Sequence, residues 1–194
     1  MTRIPWQSIW FMKESKQSLR QRVKKLPHTA DDAALCRHVA EWEWFRQAEA
    51  VMAYAAIPPE VSLQPVLEEI LRQGKTLVLP RCEANGIMTA RRIDELGQLV
   101  RGAYGIPEPP EAAPEFPVGE ISLVLVPGLA FDRTGGRLGR GKGYYDRFLP
   151  QTAGKTIGIC GQLVPEVPME PHDRRMDAIA LDSGIMLCRL EGEA

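Results

Sequence analysis

Ten consecutive residues, Arg137-Leu138-Gly139-Arg140-Gly141-Lys142-Gly143-Tyr144-Tyr145-Asp146, combine three glycines, three cations, two tyrosines and a carboxylate. Together these types suit a tight site for a polyanion. Glycine removes the Cβ that holds a phosphate at a distance and lets successive backbone N–H groups converge on one point. Lys142 supplies a charge that can follow a phosphoryl group, while Arg137 and Arg140 offer planar forks that match phosphate or carboxylate oxygens. Tyr144 and Tyr145 present flat faces to a heterocycle, and Asp146 is a hard oxygen ligand of the kind Mg²⁺ takes.

From Gly136 to Lys142 the run also fits G-x-x-x-x-G-K, but Gly143 stands where a P-loop needs the magnesium-binding Ser or Thr. A phosphate site is therefore expected without the P-loop fold. Two other readings compete with it. An Arg/Gly-rich nucleic-acid segment would repeat through a disordered stretch, whereas this run occurs once between ordered elements. A glycine-rich surface turn with solvated charges leaves the tyrosine pair and the acid unaccounted for.

The flanking elements must hold this run in place. A helix is expected from Trp10 to Lys25, stopped by Pro27, and a second one capped by Thr29, with Asp31 and Asp32 in its first turn. Leu35, Val39, Trp42 and Phe45 form the apolar stripe of the second. Val51 to Ala55 reads as a buried strand, then a Pro58-Pro59 break, a helix from Leu63 to Gln73 ending at Gly74, and a strand at Thr76 to Leu79. This β-α-β order predicts a parallel pair with a crossover helix. Ile87 to Arg91 is a further strand, and the segment from Gly102 to Pro117 is a Pro/Gly-rich excursion rather than a helix.

Ile121 to Val126 is apolar throughout and predicts a central strand whose carboxyl end delivers the glycine-rich run. A helix over Tyr145 to Leu149 and strands at Thr156 to Cys160 and Ala178 to Leu181 complete the pattern. The expectation is a single three-layer α/β/α domain over residues 1–194, with a mostly parallel or mixed open sheet flanked by helices.

A formal net charge of −1, from 24 basic and 25 acidic residues, gives no overall attraction to nucleic acid or an anionic membrane, so positive potential must be local. Neither is expected as a partner. Cys36, Cys82, Cys160 and Cys188 are scattered without zinc-site spacing, and His28, His38 and His172 form no H-E-x-x-H pattern. Ile9-Trp10-Phe11-Met12 is ended at once by Lys13 and Glu14, too short for a signal-peptide core or a membrane span. A soluble, cytoplasmic, monomeric protein is expected.

Val126-Pro127-Gly128-Leu129-Ala130-Phe131-Asp132, followed by Arg137 through Asp146, closely resembles the signature of the 5-formyltetrahydrofolate cyclo-ligase, or 5,10-methenyltetrahydrofolate synthetase, family. Further matches follow in the family's order: Lys16 and Arg20, Glu60-Val61, Tyr104-Gly105-Ile106-Pro107-Glu108-Pro109, Gln162, and His172-Asp173. The resemblance covers nearly the whole chain and implies the same mixed sheet flanked by helices. It also implies an ATP- and Mg²⁺-dependent cyclisation of a small-molecule substrate, 5-formyltetrahydrofolate, to 5,10-methenyltetrahydrofolate.

Carried over residue by residue, the resemblance implies nucleotide contacts from Lys16, Arg20 and the run Arg137, Leu138, Gly139, Arg140, Gly141, Lys142, Gly143, Tyr144 and Tyr145. Within that run Lys142, Arg140 and Tyr145 are the expected catalytic residues. It implies folate contacts from Ala55, Glu60, Tyr104 and Tyr144, and Mg²⁺ ligands Asp146 and Asp173. Lys16 and Arg20, four apart, share one helix face. Pro58-Pro59 stand where many relatives carry a more polar pair.

Plainer readings stay open beside these. Asp146 could pair with Arg147, Asp173 could cap the turn before Arg174-Arg175, and one of the tyrosines could be core. A sugar-phosphate isomerase, a coenzyme A transferase or a non-catalytic nucleotide- or RNA-binding protein could share the layered fold.

Overall fold

The computed structural model describes residues 14–58, 60–83, 86–102, 105–171 and 173–188. Most of the expected first helix before Lys16, together with Tyr104 and His172, lies outside them. Helix α1 (Lys16–Val23) starts where the Ser15 side chain accepts a hydrogen bond from the Ser18 amide. Leu19 and Val23, four apart, bury one face of it.

Helix α2 (Asp32–Glu41) is capped by Asp31, whose carboxylate accepts the Ala34 N–H at 3.0 Å. Thr29 was the expected cap; Asp31 takes the role because it is the last extended residue before the helix. Extended backbone at Trp42 then breaks the expected apolar stripe, so Phe45 sits on a separate helix, α3 (Glu43–Gln47). Trp42 and Trp44 meet edge to face with centroids 6.2 Å apart, both packed against the core.

Strand β1 (Ala50–Met52) is fully buried. After it come α4 (Gln64–Arg72), closed by Gly74 at φ +70°, and the hairpin of β2 (Thr76–Cys82) and β3 (Met88–Ile93). The proline-rich excursion forms a small antiparallel ladder of β4 (Val100–Arg101) and β5 (Pro107–Glu108). Strand β6 (Leu123–Pro127) is central, as its apolar run predicts. It is followed by a short hairpin of β7 (Ala130–Phe131) and β8 (Arg137–Leu138), then α5 (Tyr144–Phe148), β9 (Lys155–Ile159), β10 (Ala178–Leu181) and β11 (Gly184–Leu187).

Seven strands make the main sheet in the order β11-β10-β9-β6-β1-β2-β3. The inner five run parallel, and an antiparallel partner, β3 or β11, closes each edge. Strand alternation divides the core in two. One face gathers Val51, Leu77, Leu123, Leu125 and Ile157 with Leu35, Phe45, Val66 and Ile70 from α2, α3 and α4. The other gathers Met52, Val78, Val124, Val126 and Ile179 with Phe131 and Phe148. Each large side chain buried there stabilises the fold by about 1.5–3 kcal/mol. The fold is the expected mixed α/β layer architecture. Among the described residues no helix is long and apolar enough to cross a membrane.

Candidate active site

From β1 the chain moves outward to β2 on one side, and from β6 to β9 on the other, so the strand order reverses between these two neighbours. Ligands of open α/β sheets sit in the crevice beyond the carboxyl ends at such a point. Here Tyr54, Ala55 and Glu60 after β1, and Pro127 at the end of β6 with Gly128 after it, line a cleft of about 280 Å³. The glycine-rich run forms one wall.

Hairpin β7–β8 aims that wall. Buried Asp132 accepts hydrogen bonds from the Thr134 amide (2.9 Å) and hydroxyl (2.7 Å), the Gly136 amide (3.0 Å) and the Val167 amide (2.8 Å). Burial alone would raise its pKa, but the bonds from Thr134, Val167 and Gly136 outweigh burial and leave it lowered. Beyond the hairpin Gly141 and Gly143 take left-handed φ values of +91° and +69°, which side chains with a Cβ resist. A Cβ on Gly141 would also lie 3.3 Å from the Arg20 guanidinium carbon. The glycines thus let helix α1 and the loop close on each other.

Every residue given a catalytic, nucleotide, folate or metal role from the sequence lines this cleft except two. Tyr104 is outside the described residues. Leu138 is wholly buried beside Leu19, Val23 and Val164, so its side chain anchors α1 to the loop instead of facing a ligand. Its place in the glycine-rich run reflects the alternation of β8, which turns Arg137 toward the cleft and Leu138 toward the core.

The charged groups are held in pairs. Arg137, 8 % exposed at its side chain, bonds Asp146 at 2.5 Å and lies 5.4 Å from the centre of the Tyr145 ring. Arg140 donates to Glu60 at 2.8 Å, and the other Glu60 oxygen accepts the Ile57 amide at 3.3 Å. Lys16 pairs with Asp173, and Arg20 donates to the Gly139 carbonyl at 2.8 Å. Asp146 is therefore paired with Arg137, not with the neighbouring Arg147.

Arg147 does something the sequence did not suggest. It donates to the Gly86 carbonyl at 2.7 Å and the Lys142 carbonyl at 2.9 Å, with its guanidinium 5.8 Å from the centre of the Tyr144 ring. It ties the loop to the β2–β3 turn. Its spacing of four from Gly143, at the start of α5, was the only available signal. Glu108 and the apolar residues Pro80, Met88 and Ile106 were likewise missed as lining residues.

Burial pushes the Tyr145 hydroxyl pKa up, against the lowering influence of Arg137, so it stays a proton donor at neutral pH. Its oxygen has no hydrogen-bond partner among the described residues. Burial, reinforced by Glu108, pushes the Cys82 thiol up to about 12, which removes it as a nucleophile.

Asp146 and Asp173 come from distant segments and line the same cleft. No cluster of three or more His, Cys, Asp or Glu that could hold a metal occurs among the described residues. Two carboxylates nonetheless suit Mg²⁺, which commonly takes one or two of them, keeps several waters, and completes its shell with phosphate oxygens. The donor set fits that ion.

An open α/β sheet with a glycine-lined, cation-rich crevice at its switch point is an architecture suited to enzymes that bind phosphates. The sequence matches the 5-formyltetrahydrofolate cyclo-ligase family over residues 6–182, and the chain belongs to that family. A Mycolicibacterium smegmatis 5-formyltetrahydrofolate cyclo-ligase is 38 % identical over 135 residues, covering 65 % of this chain and 70 % of the relative. The Mus musculus enzyme of the same name is 25 % identical over 184 residues, covering 84 % and 90 %. An Aquifex aeolicus 5,10-methenyltetrahydrofolate synthetase structure superposes with a TM-score of 0.80 at 29 % identity, covering 92 % of this chain and 95 % of that one.

Proposed function

We propose that this protein, acting as a single-domain monomer, uses MgATP to close 5-formyltetrahydrofolate to 5,10-methenyltetrahydrofolate, with release of ADP and phosphate. The observation that carries this reading is the mixed lining of the cleft. Lys16, Arg20, Arg140 and Lys142 line it with three glycines of the loop, and Pro80, Met88, Ile106 and Tyr144 add apolar and aromatic surface. The first suits a triphosphate and the second a flat heterocycle.

A formamide oxygen leaves poorly, so it must be activated. In the proposed reaction the formyl oxygen attacks the γ-phosphorus and the bond to ADP breaks. N10 then attacks the formyl carbon and loses its proton, and the C–O bond breaks to release phosphate. Lys142 and Arg140 stabilise charge on the transferring group, and the glycine amides surround the phosphates. Arg140 is oriented for this by Glu60. Tyr145, kept protonated by burial, offers a hydroxyl to a developing negative oxygen. Asp146 and Asp173 would hold Mg²⁺, whose charge neutralises phosphate oxygens when it is bound.

Among the described residues the cleft wall carries cations, glycines and an acid but no His, Ser or Cys placed as a phosphoryl acceptor, which supports direct transfer to the substrate. Cys82 is the one thiol that lines it, and its raised pKa keeps it inert. Mixing the protein with MgATP and 5-formyltetrahydrofolate, and following the absorbance of the methenyl product, tests the reading. ADP and product should form in equal amounts, and neither should form quickly without folate. A stable phosphoenzyme, or rapid folate-independent ADP release, overturns it.

A further inference from the structure

Two of the buried side-chain polar atoms that lack a hydrogen-bond partner among the described residues line the cleft: Tyr145 Oη and Glu108 Oε1. The tyrosine belongs to the glycine-rich run. Glu108 is the stranger case, because a carboxylate only 2 % exposed carries a large desolvation cost unless its oxygens find donors.

The fold makes room for this carboxylate. Glu108 lies on β5, paired across the small ladder with Val100. A Cβ on Gly102 would stand 2.3 Å from Glu108 Oε2, so only glycine fits there. The apolar residues Pro80, Met88, Ile106 and Pro107 line the same cleft. The Cys82 thiol is close enough for Glu108 to help push it up to about 12, after burial itself. Glu60, the other carboxylate beyond β1, differs: both its oxygens are already bonded, to Arg140 and to the Ile57 amide.

We infer that Glu108 is a specificity-determining residue which accepts N–H groups from the heterocycle of the bound reduced folate. The inference rests on the function proposed above and deepens it. A buried acceptor among apolar walls selects a flat ring that presents adjacent N–H donors, as the 2-amino-4-oxopyrimidine edge of a pterin does through its amino group and N3–H. Adenine suits the position poorly, since its amino group is flanked by ring nitrogens whose lone pairs face a carboxylate unfavourably. The triphosphate is also repelled from it, and belongs with the cations of the glycine-rich run.

The test compares wild type, Glu108→Leu and Glu108→Gln, each shown folded by circular dichroism. Binding is measured calorimetrically for 5-formyltetrahydrofolate, for its 2-desamino-2-methyl analogue, and for MgATP. Glu108→Leu should weaken 5-formyltetrahydrofolate by about 100-fold, because a site built for a hydrogen bond rejects a mismatched partner strongly. Glu108→Gln, which keeps one acceptor oxygen, should lose about tenfold. MgATP affinity should change less than about twofold in both. Wild type should bind the desamino analogue far more weakly than 5-formyltetrahydrofolate, and Glu108→Leu should show no such difference.

Weakened MgATP binding with folate binding intact would move Glu108 to the nucleotide and overturn the inference. An equal desamino penalty in all three proteins would do the same. Wild-type turnover with unchanged folate binding in the variants sinks only the role of Glu108. Wild type that binds no reduced folate and makes no methenyl product sinks the proposed function with it. Should Glu108→Leu not fold, the isosteric Glu108→Gln decides by the same pattern at smaller amplitude.

Discussion

Arg137 and Asp146 begin and end the glycine-rich wall, and they are bonded to each other at 2.5 Å. The pair draws the loop into a closed arc, with the Arg137 guanidinium also seated against Tyr145. One Asp146 oxygen is therefore aimed by Arg137, which makes the arginine an orienting partner for a proposed metal ligand.

Arg137→Gln should consequently weaken Mg²⁺ by about 10–100-fold, the usual cost of losing a group that orients a ligand. Affinity for 5-formyltetrahydrofolate should hold. Titrating Mg²⁺ against turnover at saturating ATP measures the first, and calorimetry the second. Unchanged Mg²⁺ dependence removes Asp146 from the metal site.

Lys142→Ala should lower turnover by about 10²–10³-fold, equivalent to about 2.7–4 kcal/mol of barrier for one lost electrostatic donor. Circular dichroism should be unchanged, because Lys142 is exposed in the loop. Near wild-type turnover would remove it from phosphoryl transfer.

Glu60→Gln probes a different coupling. Since Glu60 holds Arg140 at 2.8 Å, its neutralisation should reduce kcat as well as weaken folate, whereas the Glu108 variants should act mainly on folate affinity. Steady-state kinetics that show a pure KM effect for Glu60→Gln would leave Arg140 without a catalytic dependence on that pair.

The stability of the β7–β8 hairpin should depend on pH through Asp132. Its folded pKa lies below the unfolded value of about 3.9. The carboxylate therefore contributes stability that is fully present above the unfolded value and is lost as pH falls through the folded one. Asp132→Ala should destabilise by about 1.5–3 kcal/mol at neutral pH, from lost charge-assisted bonds and stranded amides. Urea unfolding should show the gap to wild type narrowing as the solution is acidified through that window. A gap that stays constant with pH would mean that the charge of Asp132 contributes nothing.

Burial raises all four thiols, Cys36 and Cys188 to about 11, Cys82 and Cys160 to about 12. The folded protein should resist iodoacetamide at neutral pH and keep its activity, and all four should react in urea. Fast loss of activity in native buffer would identify Cys82, the one that lines the cleft, as accessible.

The sequence made the inner sheet legible because buried parallel strands read as unbroken apolar runs, as at Val124 to Val126. It concealed the β7–β8 hairpin, since strands of two residues leave no period to detect. The break at Trp42 was hidden for a related reason: the apolar spacing of Leu35, Val39 and Phe45 continues through it. In the site, the loop residues were legible because glycine, cation and acid are local to one run. Glu108 was not, because its burial comes from β2 and the cleft walls. The partners of Glu60 and Asp173 are 80 and 157 residues away in sequence, distances over which spacing alone says nothing.

The Lys16–Asp173 pair bears on the order in which the crevice is assembled. Its partners are 157 residues apart in sequence, and both line the same crevice. A growing chain can build β1, β2 and even the glycine run while lacking this bridge. The wall that the pair closes is thus completed only after Asp173 has been synthesised.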